Sequence, residues 1–159
     1  MNKKQETEEK ICAFYASDYH FEMISLPYIN KQIEENKQVI ILTENNLEET
    51  INTVISKTNL KEDKKVKILN ISWKNDDFNK MKEVKEAVKN KKDTVIFIKG
   101  KKNYIKNINE NIENWVQKSE KLKVIDCYDL EEISDNLDGI MEQYKKVLGT
   151  TGEKEIQNI

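Results

Sequence analysis

The sequence predicts an α/β fold: a single three-layer domain with a five-stranded, mainly parallel sheet and helices on both faces. Two observations predict it. Short, uniformly apolar runs such as Val39-Ile-Ile-Leu42 alternate along the chain with longer stretches whose apolar residues recur at helical spacing. Strands that are apolar on both faces are buried on both sides, and parallel neighbours need crossover connections, which helices supply. The expected organisation is a flexible polar arm over 1–9, the domain over 10–149 and a frayed tail over 150–159.

The first strand is expected over 10–16, an apolar run rich in aromatic and small residues. Residues 18–36 carry Phe21, Ile24, Tyr28, Ile29 and Ile33 at helical spacing, with Ser17 or Asp18 as cap. Pro27 falls inside this stretch, which reads as one kinked helix. A second strand at 38–43 leads into a helix with Leu47, Ile51, Val54 and Ile55 on its inner stripe and a capping pattern, Asn46-Leu-Glu-Glu49. Residues 61–65 read as a charged loop, and 66–72, which alternate apolar and polar, as an edge strand. Asp76 or Asp77 then caps a third helix with Phe78, Met81, Val84 and Val88 facing inward.

A fourth strand over 94–98 is followed by the chain's cleanest helical stripe, Tyr104, Ile105, Ile108, Ile112, Trp115 and Val116. The fifth strand, 123–128, passes through Asp129-Leu-Glu-Glu132 into a last helix whose stripe is Ile133, Leu137, Ile140, Met141, Tyr144 and Leu148, with Gly149 as its stop.

At 159 residues the chain can bury a sizeable core, and its 35% charged residues suit helices with solvated outer faces. All 27 basic residues are lysine, so the bidentate arginine recognition of phosphates and guanine edges is closed to it. With a net charge of −2 and acids interleaved among the lysines, no nucleic-acid footprint stands out. No apolar run is long enough to cross a membrane and no secretory segment opens the chain, so a cytoplasmic location without membrane association is expected. Cys12 and Cys127 read as buried free thiols, too far apart along their strands for a disulfide. No residues are spaced as metal ligands, and no cofactor is implied.

The stretch Tyr15-Ala-Ser-Asp-Tyr-His-Phe-Glu22 joins the first strand to the first helix. In a parallel sheet this junction lies at the carboxyl edge, where ligands gather. A nucleotide binder places a glycine-rich phosphate loop here, yet no glycine precedes Gly100. The candidate ligand-binding residues at this edge are Tyr15, Ser17, Asp18, His20, Thr43, Glu44, Lys99, Tyr128 and Asp129. His20 reads either as a proton acceptor tuned by Asp18, Glu22 or Glu44, or as an ordinary histidine at a helix start. Asp129 reads as a ligand contact or an N-cap; Lys99, Lys101 and Lys102 read as an anion site or a solvated face. With Tyr15, Tyr19 and Phe21 crowding the turn, a small, partly apolar recess walled by Thr43-Glu44 and Tyr128-Asp129 is expected, suited to a modest organic ligand.

Ile11-Cys-Ala-Phe-Tyr15 with Ser17-Asp18, then Leu26-Pro-Tyr-Ile29 running to Gln38-Val-Ile-Ile-Leu42, resembles the opening of DcmR-type sensory domains, the MEDS domains. Cys127-Tyr-Asp129 resembles that family's final strand, and the likeness spans residues 10 to 148. Lys10 and Lys146-Val-Leu-Gly149 stand where the family often has a histidine and a His-Pro pair. The resemblance implies a degenerate RecA/KaiC-like core without a working phosphate loop, strand order 3-2-4-5-1, and a sensory role in signal transduction; a Rossmann-like chain would instead be ordered 3-2-1-4-5. The leading expectation is therefore a non-catalytic sensory or regulatory domain binding a small ligand or a signalling protein at the carboxyl edge. The alternatives are a small α/β enzyme using Asp18, His20 and Glu44 as acid/base groups, and a protein–protein interaction module.

Overall fold

The computed structural model describes residues 10–115 and 121–156, the side chain of Trp115 excepted. The expected arm at 1–9, the stripe positions Trp115 and Val116, and the last three residues of the expected tail lie outside what is described.

The strands are β1 (Lys10–Tyr15), β2 (Gln38–Thr43), β3 (Thr94–Gly100), β4 (Leu122–Asp129), β5 (Lys146–Gly149) and β6 (Gly152–Glu155). They form one sheet ordered β2-β3-β4-β1-β5-β6, parallel except for β6. The helices are α1 (Asp18–Glu34), α2 (Glu48–Ser56), α3 (Glu62–Leu69), α4 (Asp77–Lys89), α5 (Lys102–Trp115), α6 (Leu130–Ile133) and α7 (Leu137–Met141), with a 3-10 turn, Ser134–Asn136, between the last two.

Strand alternation divides the core. Ile11, Ala13, Tyr15, Ile41, Val95, Phe97, Ile125 and Cys127 pack on one face beneath α1, α2 and α3. Cys12, Ile40, Leu42, Ile96, Ile98, Val124 and Tyr128 pack on the other beneath residues of α4 to α7. The α/β class with helices on both faces is as the sequence predicts. In the numbering of the five expected strands the order reads 2-4-5-1, the order the resemblance implies for those four, and it overturns the Rossmann-like alternative because β1 lies beside β4 and β5, not β2.

The sheet has six strands instead of five, for two reasons. The expected edge strand at 66–72 is not one, and neither is 61–65 a loop: α3 runs through both, and Ile68 is its buried residue. Val66 and Ile68 alternate as a strand would, but on a helix residues two apart face opposite ways, and Val66 is exposed while Ile68 is buried; Glu62 and Asp63 near the start with Lys67 near the end complement a helix dipole. The long final helix is also absent. Its place is taken by α6, the 3-10 turn and α7, after which Gly149-Thr-Thr-Gly152 turns the chain into a hairpin whose first strand pairs with β1. Gly152 sits at φ 105°, open to glycine and strained for other residues, so the expected tail is strand from Gly152 to Glu155. Glu153 locks the hairpin to the body, accepting from the Tyr28 hydroxyl at 2.7 Å and pairing with Lys123 at 3.2 Å and Lys146 at 3.5 Å.

Smaller expectations shift as well. Helix α1 passes through Pro27 as one element, as expected. Phe78, expected on an inner face, is 72% exposed. Cys12 and Cys127 are free and buried, but not because they are far apart along their strands. Ala13 is the register partner of Cys127, so the cysteines are neighbours in the sheet, and they stay unbridged because they point to opposite faces.

Candidate functional site

Strand register brings Tyr15, Thr43, Lys99 and Asp129 to the carboxyl edge: Thr43 pairs with Lys99, Lys99 with Cys127, and Tyr15 with Asp129. Between β1 and α1 the chain closes on itself. Ser17 is extended (φ −158°) and its Oγ accepts from His20 N at 3.1 Å, while its carbonyl accepts from Phe21 N at 2.9 Å. Ala16 N donates to His20 Nδ1 at 2.8 Å, which puts the neutral ring's proton on Nε2. Two backbone N–H groups of the turn, those of Ala16 and His20, are thus satisfied by its own side chains, while Phe21 N makes the first ordinary bond of the helix.

Beside the turn stands a buried charged cluster. Lys99 is 2% exposed; its Nζ lies 2.9 Å from Asp18 Oδ1 and donates to Asn45 Oδ1 at 2.9 Å. Asn45 Nδ2 in turn donates to Asp18 Oδ2 at 2.9 Å, and Thr43 Oγ1 donates to the Asn45 carbonyl at 2.9 Å. The ammonium also sits 4.6 Å from the centre of the Tyr15 ring and 5.6 Å from that of Phe21, a cation–π seat. Lys99 is therefore held by a carboxylate, an amide and two rings. Burial, and then the negative charge of Asp129, push the Tyr15 hydroxyl well above the usual phenol range.

Glu22, one turn along α1, is fully buried; its Oε2 accepts from the Thr50 hydroxyl, and Oε1 has no hydrogen-bond partner among the described residues. Burial raises its carboxyl to about 7, against the opposing hydrogen bond from Thr50, with Asp18 adding to the rise and Lys99 countering it. Because the folded value lies above the ordinary 4.5, the protonated acid stabilises the fold, and that stability is lost as pH rises from 4.5 through 7. Urea midpoints should therefore fall more for the wild type than for Glu22→Gln between about pH 5 and about pH 8. Parallel pH dependences in the two proteins would refute this assignment.

Other candidates are placed differently. Tyr128 is not a wall of this recess; it lies on the opposite face of the sheet, stacked on Phe14 at 6.1 Å. Asp129 is the N-cap of α6, accepting from Glu131 N at 2.9 Å. Glu44 Oε1 accepts from Lys101 N at 2.9 Å, and a Cβ on Gly100 would lie 2.7 Å from that oxygen and from Tyr104, which accounts for the glycine. Lys101 and Lys102 are solvated, but Lys99 is not part of a solvated face. Asp18, His20 and Glu44 do not form a hydrogen-bonded acid/base set, since each is engaged elsewhere as described.

Sequence reasoning passed over Asn45 as a site residue and considered Glu22 only as a possible partner of His20. A signal for Glu22 was available: it shares a helical face with Ser25 and Ile29, both buried. Comparison with protein-family models, curated proteins and solved structures finds no match.

Proposed function

We propose that this is a non-catalytic sensory or regulatory α/β domain that engages a small organic ligand or a signalling protein at the carboxyl edge of its sheet. The observation that carries the reading is the closed β1–α1 turn, whose Ala16 and His20 amides are bound by the His20 ring and the Ser17 hydroxyl where a nucleotide-hydrolysing relative would need open donors. The occupied ammonium of Lys99 supports it, because a lysine fixed on Asp18 and Asn45 is not free to neutralise a transferring phosphoryl group. The order of four strands, 2-4-5-1 in the expected numbering, is the one the RecA-like expectation gives and supports a nucleotide-binding layout put to another use. Tyr19 and Met23, one helical turn apart on α1 and 48% and 59% exposed, favour a protein partner among the occupants of this edge.

The purified protein should release no phosphate from Mg-ATP above the buffer rate. Steady turnover that disappears in Asp18→Ala would overturn the reading.

A further inference from the structure

Replacing one long helix by α6, the 3-10 turn and α7 leaves part of the second sheet face open beside α5. A cavity of about 280 Å³ lies there, its walls including Lys102, Lys106, Asn109, Asp126, Tyr128 and Tyr144. That is roughly the share of nine liquid waters, room for a small amino acid together with several waters. The sheet separates it from the Lys99–Asp18 cluster, which packs on the other face.

Asp126 forms the cavity's deepest polar group at 1% exposure. Its Oδ1 accepts from Asn109 Nδ2 at 2.9 Å and its Oδ2 from the Tyr144 hydroxyl at 2.5 Å. The Tyr144 proton is committed to Asp126, so the Tyr128 hydroxyl, 2.6 Å away, donates to Tyr144 and keeps acceptor capacity at the cavity wall. Among the described residues no cation lies within ion-pair distance of Asp126; Lys10, which also lines the cavity, pairs instead with Glu113 at 3.5 Å and acts on Asp126 only from farther off. A carboxylate this deep, held by two neutral donors, is poorly compensated in a low-dielectric interior. Burial accordingly pushes its carboxyl above the usual range.

We infer that this cavity binds a small zwitterion, its ammonium group directed at Asp126 and the Tyr128 oxygen and its anionic group held by Lys102 and Lys106. The chemistry selects against the simpler classes. A bare cation would meet the lysines at the wall, and a bare anion would meet Asp126 and the acceptor face of Tyr128. A zwitterion satisfies both ends, and the Tyr128 and Tyr144 rings, whose centroids are 6.1 Å apart, add a favourable surface for the ammonium. This site is independent of the carboxyl-edge reading and neither requires it nor follows from it.

The test is calorimetric titration of the whole protein near pH 7 with glycine, β-alanine, 4-aminobutyrate and 6-aminohexanoate, which step the charge separation, and with butylammonium and butyrate as single-charge controls. At least one amino acid should bind about tenfold or more tighter than both controls, and Asp126→Asn, which retains the residue's shape, should remove that binding. The double variant Lys102→Gln/Lys106→Gln, changed only at exposed positions, should weaken it about tenfold and decides the matter if Asp126→Asn fails to fold. Binding of butylammonium or butyrate as tight as any zwitterion, affinity unchanged by the variants, or no binding by any of these probes would each overturn the proposal.

Discussion

Trp73→Ala is expected to destabilise the protein by about 3–5 kcal/mol, the range for emptying a buried tryptophan site. Trp73 is 2% exposed and joins three segments. Its Nε1 donates to the Ile68 carbonyl at 3.0 Å, bonding it to α3; its own carbonyl accepts from Leu47 N at 2.9 Å ahead of α2; and its ring belongs to the cluster under α1. α3 carries only Ile68 as a fully buried residue, so it depends on this ring to stay folded against the body. Trp73→Phe, which loses the N–H and part of the ring, should cost about 1–2 kcal/mol. Urea unfolding measures both values, and amide exchange across α3 should accelerate in the alanine variant beyond the global change. An alanine variant within about 1 kcal/mol of wild type would show that the ring does not anchor this segment.

Asp18→Ala should cost about 2–3 kcal/mol. Removing one partner strands the Lys99 ammonium, with a side chain 3% exposed, on a single amide oxygen and two rings. The 32% exposure of the Asp18 side chain lets water screen part of that loss, which holds the figure below that of a fully buried pair. Asp18 also lies in the first turn of α1, where a negative charge favours the dipole. The diagnostic is the double variant Asp18→Ala/Lys99→Met, which removes the stranded charge and should recover part of the stability lost in the single variant. Additive losses across the cycle would mean that the two side chains do not depend on one another.

The layered fold could be read from the sequence where periodicity and burial agree. Ile11, Ala13 and Tyr15 alternate with Cys12 onto two cores, and the Phe21–Ile29 stripe lies against one of them. Reading failed where one pattern serves two structures. The residues from Val66 to Ile71 suit a strand by alternation and a helix by spacing, and only the burial of Trp73 beyond them, a tertiary fact, decides it. Tyr144 and Leu148 likewise fit a helical stripe, although Thr150, Thr151 and Gly152 already form a turn that continues the chain as strand. Of the site, the edge position and the capping role of Ser17 were accessible from strand–helix punctuation, while the pairing of Asp18 with Lys99 was not. The buried charges were not. Glu22, Lys80, Lys99 and Asp126 are all polar residues in the core, and a hydrophobic pattern sends such residues to solvent unless their partners, distant in sequence, are known.

The closed turn between β1 and α1 is tested most directly by amide NMR of the protein with and without Mg-ATP. The amides of Ala16 and His20 should exchange slowly, as hydrogen-bonded groups do, and their resonances should stay in place at saturating Mg-ATP. Rapid exchange at these two amides, joined by saturable shifts at the same positions on adding Mg-ATP, would show an open phosphate-binding turn and contradict the proposed role.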